Sequence, residues 1–400
     1  MTVKKRHVFY ISGFDPRGAA FYRLLYQREA AKQCAVGGLN AQVGPRRRSS
    51  DISSSWQIQS GVGDQRTAIH YEFLHWDDIV RAHWVRDEIQ VLAAYLRAFW
   101  IYLSSGALSR VLKASWPPFV TALFPLAILL TVLGLASGAA VGAYQLIALA
   151  EMPWWVGAIA GLGAFGLLIQ GGRLLERRMN SYWLLRIYAF SAQQGLGNLP
   201  DLDARLNEMA RHIVAKASNS DADEILIVGH STGTIMATIV LARALAIDPE
   251  LLQQQRSRIS LLTLGQCIPI VSLLPQAQQF RDALSTLAQA EKLDWIDFTA
   301  PTDGACFALV DPIAVSGISQ VNPDEPKPKL LSPRFARLFA PATYAKIRRN
   351  WYRTHFQYVM ASEKAGEYDY FAITAGHLTL AERHQSLPSV QHYKRPKVFS

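Results

Sequence analysis

Residues 224–246 read EILIVGHSTGTIMATIVLARALA, and the fold is decided in this stretch. Glu224 to Val228 reads as a strand whose apolar run, Ile225 to Val228, has the pattern of burial on both faces. Thr232 to Ala246 reads as a helix, and the glycines at 229 and 233 mark a tight turn between the two. A strand, a tight turn and a helix in immediate succession form the repeating unit of an α/β sheet.

The same alternation continues outward on both sides. Leu202 to Ala217 has helical apolar spacing, with a polar break at Ser218 to Asp223. Downstream, Ile259 to Leu264 reads as a strand, Gln276 to Ala290 as a helix and Leu293 to Phe298 as a strand. Near the start, His7 to Ile11 is a short apolar strand ending in Ser12-Gly13, and Ala19 to Ala35 is helix-like. Trp56 to Gln59 and Ala68 to Trp76 flank Gly61 to Asp64 and read as two strands joined by a loop. The expected class is α/β, a mostly parallel sheet with helices on both faces. Asn322 to Pro333 is read as a proline-rich surface loop, and Lys394 to Lys397 as a solvated basic tail.

The sheet pattern is interrupted. No charge occurs from Ala114 to Ala150, and after Glu151 none occurs from Met152 to Gly172. About 20 apolar residues cross a bilayer, so each run is long enough to span one. The link Glu151-Met152-Pro153-Trp154-Trp155 suits a turn at the lipid headgroups, and the two runs read as a helical hairpin. Arg110 and Lys113 flank its entry, and Arg173, Arg177 and Arg178 its exit. The positive-inside rule then puts both ends in the cytoplasm, at the inner (cell) membrane. Gly134, Gly138 and Gly142 on one run and Gly157, Gly161 and Gly163 on the other are expected to let the helices pack closely. The helical stretch Asp87 to Leu103 leads into the hairpin, and its aromatics Tyr95, Phe99, Trp100 and Tyr102 are assigned to packing. The start, MTVKKRHVFYISGF, passes from a basic run into a strand without an apolar leader, so the N-terminus is expected to stay where it was made. Residues 1–108 and 181–400 are read as two parts of one domain, with 109–180 as the transmembrane insertion.

Composition agrees with this division. Of 400 residues half are hydrophobic and 18% charged, which excludes a disordered chain. The net charge of +10 suits an anionic partner, here lipid headgroups rather than nucleic acid, since no nucleic-acid module accompanies it. Cys34, Cys267 and Cys306 are odd in number and widely spaced, so no disulfide framework or zinc-knuckle spacing exists. No H-E-x-x-H motif or His/Cys cluster is visible along the chain, so neither metal nor cofactor is expected.

The chemistry concentrates at Gly229-His230-Ser231-Thr232-Gly233, a G-x-S-x-G pentapeptide between strand and helix. The bland reading is a glycine turn with Ser231 as a helix N-cap. In its strand-turn-helix context the motif resembles the nucleophile elbow of the α/β-hydrolase fold family of serine hydrolases, and of its bacterial membrane-anchored members in particular. That resemblance implies the chain order nucleophile, acid, histidine. With Ser231 as nucleophile, Asp303 is the expected acid because it follows the strand ending at Phe298; Asp297 and Asp311 are less well placed. Two histidines fit the order. His377 ends YDYFAITAGH, a β-like run followed by a small-residue turn. His355 lies in WYRTHFQY, whose His-x-x-Tyr spacing resembles the histidine region of some lipase-like hydrolases. The two stay open as alternatives, with a slight preference for His355. His384 and His392 lie near the polar tail, and His230 is expected to line the site.

The resemblance also implies an oxyanion hole of two backbone N–H groups. Thr232 supplies one, and Phe14, in the loop Ser12 to Gly18, the other. Asp15 and Arg17 are expected either to orient that loop as an ion pair or to place Arg17 against an acidic substrate. The implied activity is membrane-anchored hydrolysis of a carboxylic ester or thioester of a lipid-like acyl substrate, through an acyl-serine. The alternative is a non-catalytic membrane-associated protein of the same fold, using Arg46-Arg47-Arg48 or Arg348-Arg349 against the leaflet.

Overall fold

Apolar runs at the expected positions pair into one sheet. The structure, a computed structural model, describes residues 2–179, 181–253, 257–322 and 325–390, with the backbone alone at 177–179 and 181. The side chains of Arg177 and Arg178, His392 and the tail Lys394 to Lys397 lie outside the described residues. The chain divides into two compact units. One comprises Met1–Trp84, Ile101–Pro118 and Ser191–Ser400, the other Val85–Trp100 and Phe119–Phe190.

In the first unit the strands among the described residues are β1 (Lys5–Ile11), β2 (Asn40–Val43), β3 (Arg47–Ser50), β4 (Ser53–Val62), β5 (Gln65–Leu74), β6 (Glu224–His230), β7 (Arg258–Leu264), β8 (Asp294–Phe298) and β9 (Lys329–Leu331). They run in the order β2-β4-β5-β1-β6-β7-β8-β9, with β3 on β4. From β5 through β1 to β9 every neighbour is parallel, and the β2, β3 and β4 edge is antiparallel. The sheet is therefore mixed but mostly parallel. β6 is buried at every position, as a central parallel strand must be.

Alternate residues of β1 show how the two faces are covered. Tyr10 packs on Tyr22 of the helix Ala19–Gly37, with ring centroids 5.4 Å apart. Phe9, one residue earlier and on the opposite face, meets His212 of the helix Pro200–Ser218 at 6.1 Å. Helices thus cover both faces.

Two local expectations fail. The proline-rich segment is not all loop, because Lys329-Leu330-Leu331 supplies two buried leucines and joins β8 as the edge strand. The run before His377 is not a strand: Asp369 caps Phe371 and Ala372 N–H with its carboxylate, and Tyr370–Ala375 forms a helix.

The second unit is helical. Trp116–Leu149 and Trp154–Met179 are 34 and 26 residues long, and both are long and apolar enough to cross a membrane. Leu130, Leu146, Ile159, Leu162 and Leu167 on these helices are all exposed, as lipid-facing side chains would be. The expected glycine packing holds for Gly157 and Gly161 only, of the six positions. A Cβ on Gly157 or Gly161 would come within 2.9 Å of Tyr144 Cδ2 or Ala140 O respectively, whereas Gly134, Gly138, Gly142 and Gly163 face open space. Of the leading aromatics in this unit Tyr95 is buried and Trp100 exposed, while Tyr102, in the first unit, is buried.

Candidate active site

β6 passes into the helix Gly233–Ile247 through Ser231 and Thr232. Ser231 has φ of 60°, a left-handed conformation that costs a residue with a side chain about 1–3 kcal/mol. Its surroundings enforce this geometry. Ser231 N–H donates to Leu264 O at 2.9 Å, and Thr234 N–H donates to Ser231 O at 3.0 Å. A Cβ on Gly229 would lie 2.7 Å from Gly233 O, so the strand and helix approach this closely only because the turn glycines lack side chains. Gly13, from the loop after β1, presses on Ser231 itself: its Cβ would lie 2.8 Å from Ser231 Cβ.

His355 meets this serine. It lies on the helix Trp351–Phe356, capped by the Asn350 side chain, and its Nε2 is 2.7 Å from Ser231 Oγ. On the other side of the ring, Nδ1 is 2.9 Å from Asp303 Oδ2. Asp303 sits in the turn after β8, where its second oxygen accepts Ala305 N–H at 3.1 Å. Burial acts to raise the Asp303 pKa, but the adjacent His355 and these hydrogen bonds outweigh it and hold the carboxyl below its usual range. With Asp303 ionised, Nδ1 carries the ring proton, and the Nε2 lone pair is directed at the serine hydroxyl. This arrangement can take up the serine proton as Oγ attacks an electrophile.

His377 is at the other end of the sheet. Its carbonyl accepts Val3 N–H at 2.8 Å, and Arg6 on β1, ion-paired with Glu224, donates to the flanking Gly376 O at 2.7 Å. The Arg6 and Glu224 register lies seven residues of β6 before Ser231, roughly 23 Å at strand rise. Asp297 is in β8 itself, bonded to Thr263 Oγ1 at 2.6 Å, and burial pushes its pKa up to about 7. Asp311 caps the helix Pro312–Val315. His384 is buried against Phe298.

Two further residues complete the site: Tyr358, whose role was not legible, and His230, which was expected to line it. Tyr358, three residues after His355, accepts Ala300 N–H on its hydroxyl at 2.8 Å and so ties the Asp303 turn to the histidine segment. His230 Nε2 is 2.9 Å from His355 O, and burial, then the nearby His355, push its pKa down to about 3, so it stays neutral and donates. The His-x-x-Tyr spacing and the partners expected of His355 were visible in the sequence; the partners of Tyr358 were not.

The expected oxyanion donors are adjacent but differently engaged. Phe14 N–H donates to Thr232 Oγ1 at 2.8 Å. Among the described residues the Thr232 backbone N–H has no backbone acceptor. Asp15 and Arg17 form the loop ion pair, at 2.6 Å, and Tyr22 OH also donates to Asp15, at 2.9 Å. Ser231, Asp303 and His355 are each at most 3% exposed.

One cluster able to hold a metal ion exists among the described residues, formed by His7, His70 and Glu72. It went unseen because β1 and β5 come together only in the folded sheet. Comparison with protein-family models, curated proteins and solved structures returned no match for this chain.

Proposed function

We propose that this chain is a membrane-anchored serine hydrolase of α/β-hydrolase type, cleaving a carboxylic ester or thioester of a lipid-like acyl substrate. The observation that carries this reading is the continuous contact from Ser231 Oγ to His355 Nε2 at 2.7 Å and from His355 Nδ1 to Asp303 at 2.9 Å. The left-handed Ser231 backbone supports it, since a strained elbow of this kind aims the side chain out of the strand-helix corner.

In the proposed reaction Ser231 Oγ attacks the carbonyl carbon while its proton passes to His355 Nε2. The tetrahedral oxyanion is held by Thr232 N–H and, once the Thr232 hydroxyl turns aside, by Phe14 N–H. His355 returns the proton to the leaving alcohol or thiol as the bond to it breaks, leaving acyl-Ser231. Water then attacks the acyl carbon, giving its proton to His355, which reprotonates Ser231 as the carboxylic acid leaves. The apolar hairpin favours a lipid-like substrate, because it would hold the site at a surface where such acyl chains are concentrated. Arg110 and Lys113 before the hairpin and Arg173 after it favour the cytoplasmic face of the inner membrane.

A fluorophosphonate probe is the direct test. Wild type is expected to label and Ser231→Ala to lose the label with its fold intact. An unlabelled wild type would favour the non-catalytic membrane protein instead. For orientation, Glu151→Cys in the turn is expected to react with a membrane-impermeant thiol reagent from outside the cell, and reaction only after lysis would reverse the assignment.

A further inference from the structure

The proposed hydrolytic reaction leaves unused a second set of chemistry-bearing side chains, set back along the strands from Ser231. His7 on β1 and His70 on β5 are register partners, and Glu72 follows His70 by two residues, on the same face. His7 Nε2 lies 3.0 Å and His70 Nε2 3.7 Å from one oxygen, Glu72 Oε2. One ligand atom from each of the three residues lies within 4.8 Å of the others. A tetrahedral zinc with ligands about 2.1 Å away spaces them roughly 3.4 Å apart, a value the two measured distances bracket.

The surroundings suit an ion better than a simple ion pair. Glu72 is fully buried, and its other oxygen, Oε1, is 2.8 Å from His212 Nε2 on the helix Pro200–Ser218. Three imidazoles therefore converge on one carboxylate. A single protonated ring would neutralise it, and protonating all three would repel. Gln57 lies with its amide nitrogen, Nε2, 2.6 Å from His70 Nδ1, and the amide's nitrogen and oxygen can exchange places by a flip. With the amide oxygen turned to accept Nδ1–H, His70 Nε2 keeps its lone pair for a metal. The His70 side chain is 32% exposed, which leaves an entry path from solvent.

We propose that His7, His70 and Glu72 bind one divalent ion of the zinc class, with water in the fourth position and His212 holding the Glu72 carboxylate in place. Two neutral imidazoles and a carboxylate are a donor set that zinc accepts in open sites. His7 aligns with Ile225, six residues before Ser231, so the ion would sit roughly 20 Å from the hydrolytic site. Its effect is structural, a tie between β1 and β5, and it stands whether or not Ser231 is catalytic.

The test uses the full chain in detergent, stripped with a chelator and titrated with zinc chloride by calorimetry. One zinc per chain is expected, with a higher unfolding temperature in its presence. Cobalt in place of zinc is expected to give visible ligand-field bands. His70→Ala, at the exposed edge, is expected to lose the cobalt bands and about 100-fold in zinc affinity. His212→Ala, outside the coordination sphere, is expected to weaken binding about 10- to 100-fold. His377→Ala, elsewhere on the unit, is the control. A wild type that takes up no zinc at micromolar concentration, or a folded His70→Ala that binds as wild type does, overturns the proposal.

Discussion

Phe14 N–H donates to the Thr232 hydroxyl at 2.8 Å, so the resting protein already places an oxygen within the range at which an oxyanion is held. On the proposed reaction the hydroxyl then marks the oxyanion position rather than supplying a donor. Thr232→Val is expected to leave a buried N–H unpaired and cost about 1–3 kcal/mol of stability, while kcat changes less than about tenfold. Thr232→Ser should restore stability. Urea unfolding and ester turnover measure the two effects, and a 100-fold fall in kcat would make the hydroxyl itself a donor.

In the proposed reaction Asp303 acts through His355, whose Nδ1 lies 2.9 Å from its carboxylate and is held as the protonated nitrogen. Asp303→Asn is expected to reduce kcat by about 10⁴ with KM little altered, because the amide favours the wrong ring proton. Asp297→Asn, in β8 and bonded to Thr263, should leave turnover within a few-fold. Turnover of a chromogenic short-chain ester by both variants separates the two aspartates.

Gly13 leaves no room beside Ser231. Gly13→Ala would put a methyl 2.8 Å from Ser231 Cβ, and displacing the serine by about 1 Å is expected to cost about 100-fold in probe-labelling rate. Circular dichroism should show the fold unchanged. Labelling at the wild-type rate would mean that the loop gives way instead of the serine.

Acid should destabilise the sheet unit through its buried histidines. Burial, then the charges of Arg383 and Lys329, push the His384 pKa down to about 3, against an unfolded value near 6.5. The folded state therefore holds this ring neutral. Its stability contribution is full above pH 6.5 and is lost as the pH falls toward 3, by about 2 kcal/mol at pH 5. His384→Leu is expected to remove that share of the pH dependence. Unfolding midpoints from pH 8 to 5 should fall less steeply in the variant, and parallel curves would refute the assignment.

In the hairpin, Gly161 and Gly138 should respond oppositely to the same change. Gly161→Leu would force the helices apart at Ala140, whereas the Cβ that Gly138→Leu adds has nothing within 4 Å. Thermal unfolding in detergent is expected to drop for the first and stay near wild type for the second.

The order of strands and helices around Ser231 was legible because central parallel strands such as EILIV are buried on both faces and leave unbroken apolar runs. The edge strands β2, β3 and β9 were not. NAQV, RRSS and KLL are short, and the first two are largely exposed, so pairing rather than apolar pattern defines them. The Ser231 and Asp303 positions followed from motif and strand order. The choice of histidine did not, because Tyr-x-Tyr-Phe before His377 imitates strand alternation, while the Asp369 carboxylate that turns it into a helix is a local capping effect. The Glu72 cluster required knowing that β1 and β5 are neighbours.

The position of the hairpin in the chain has a consequence for biogenesis. β1 is flanked by β5 on one side and β6 on the other, yet β6 emerges only after both apolar helices have been made. Until then the nascent β1 exposes an unpaired edge of Val8, Phe9 and Tyr10, which invites pairing with other chains. Completion of the sheet therefore waits on synthesis of both apolar helices, and a chain stalled before β6 would be left with that edge open and prone to aggregate.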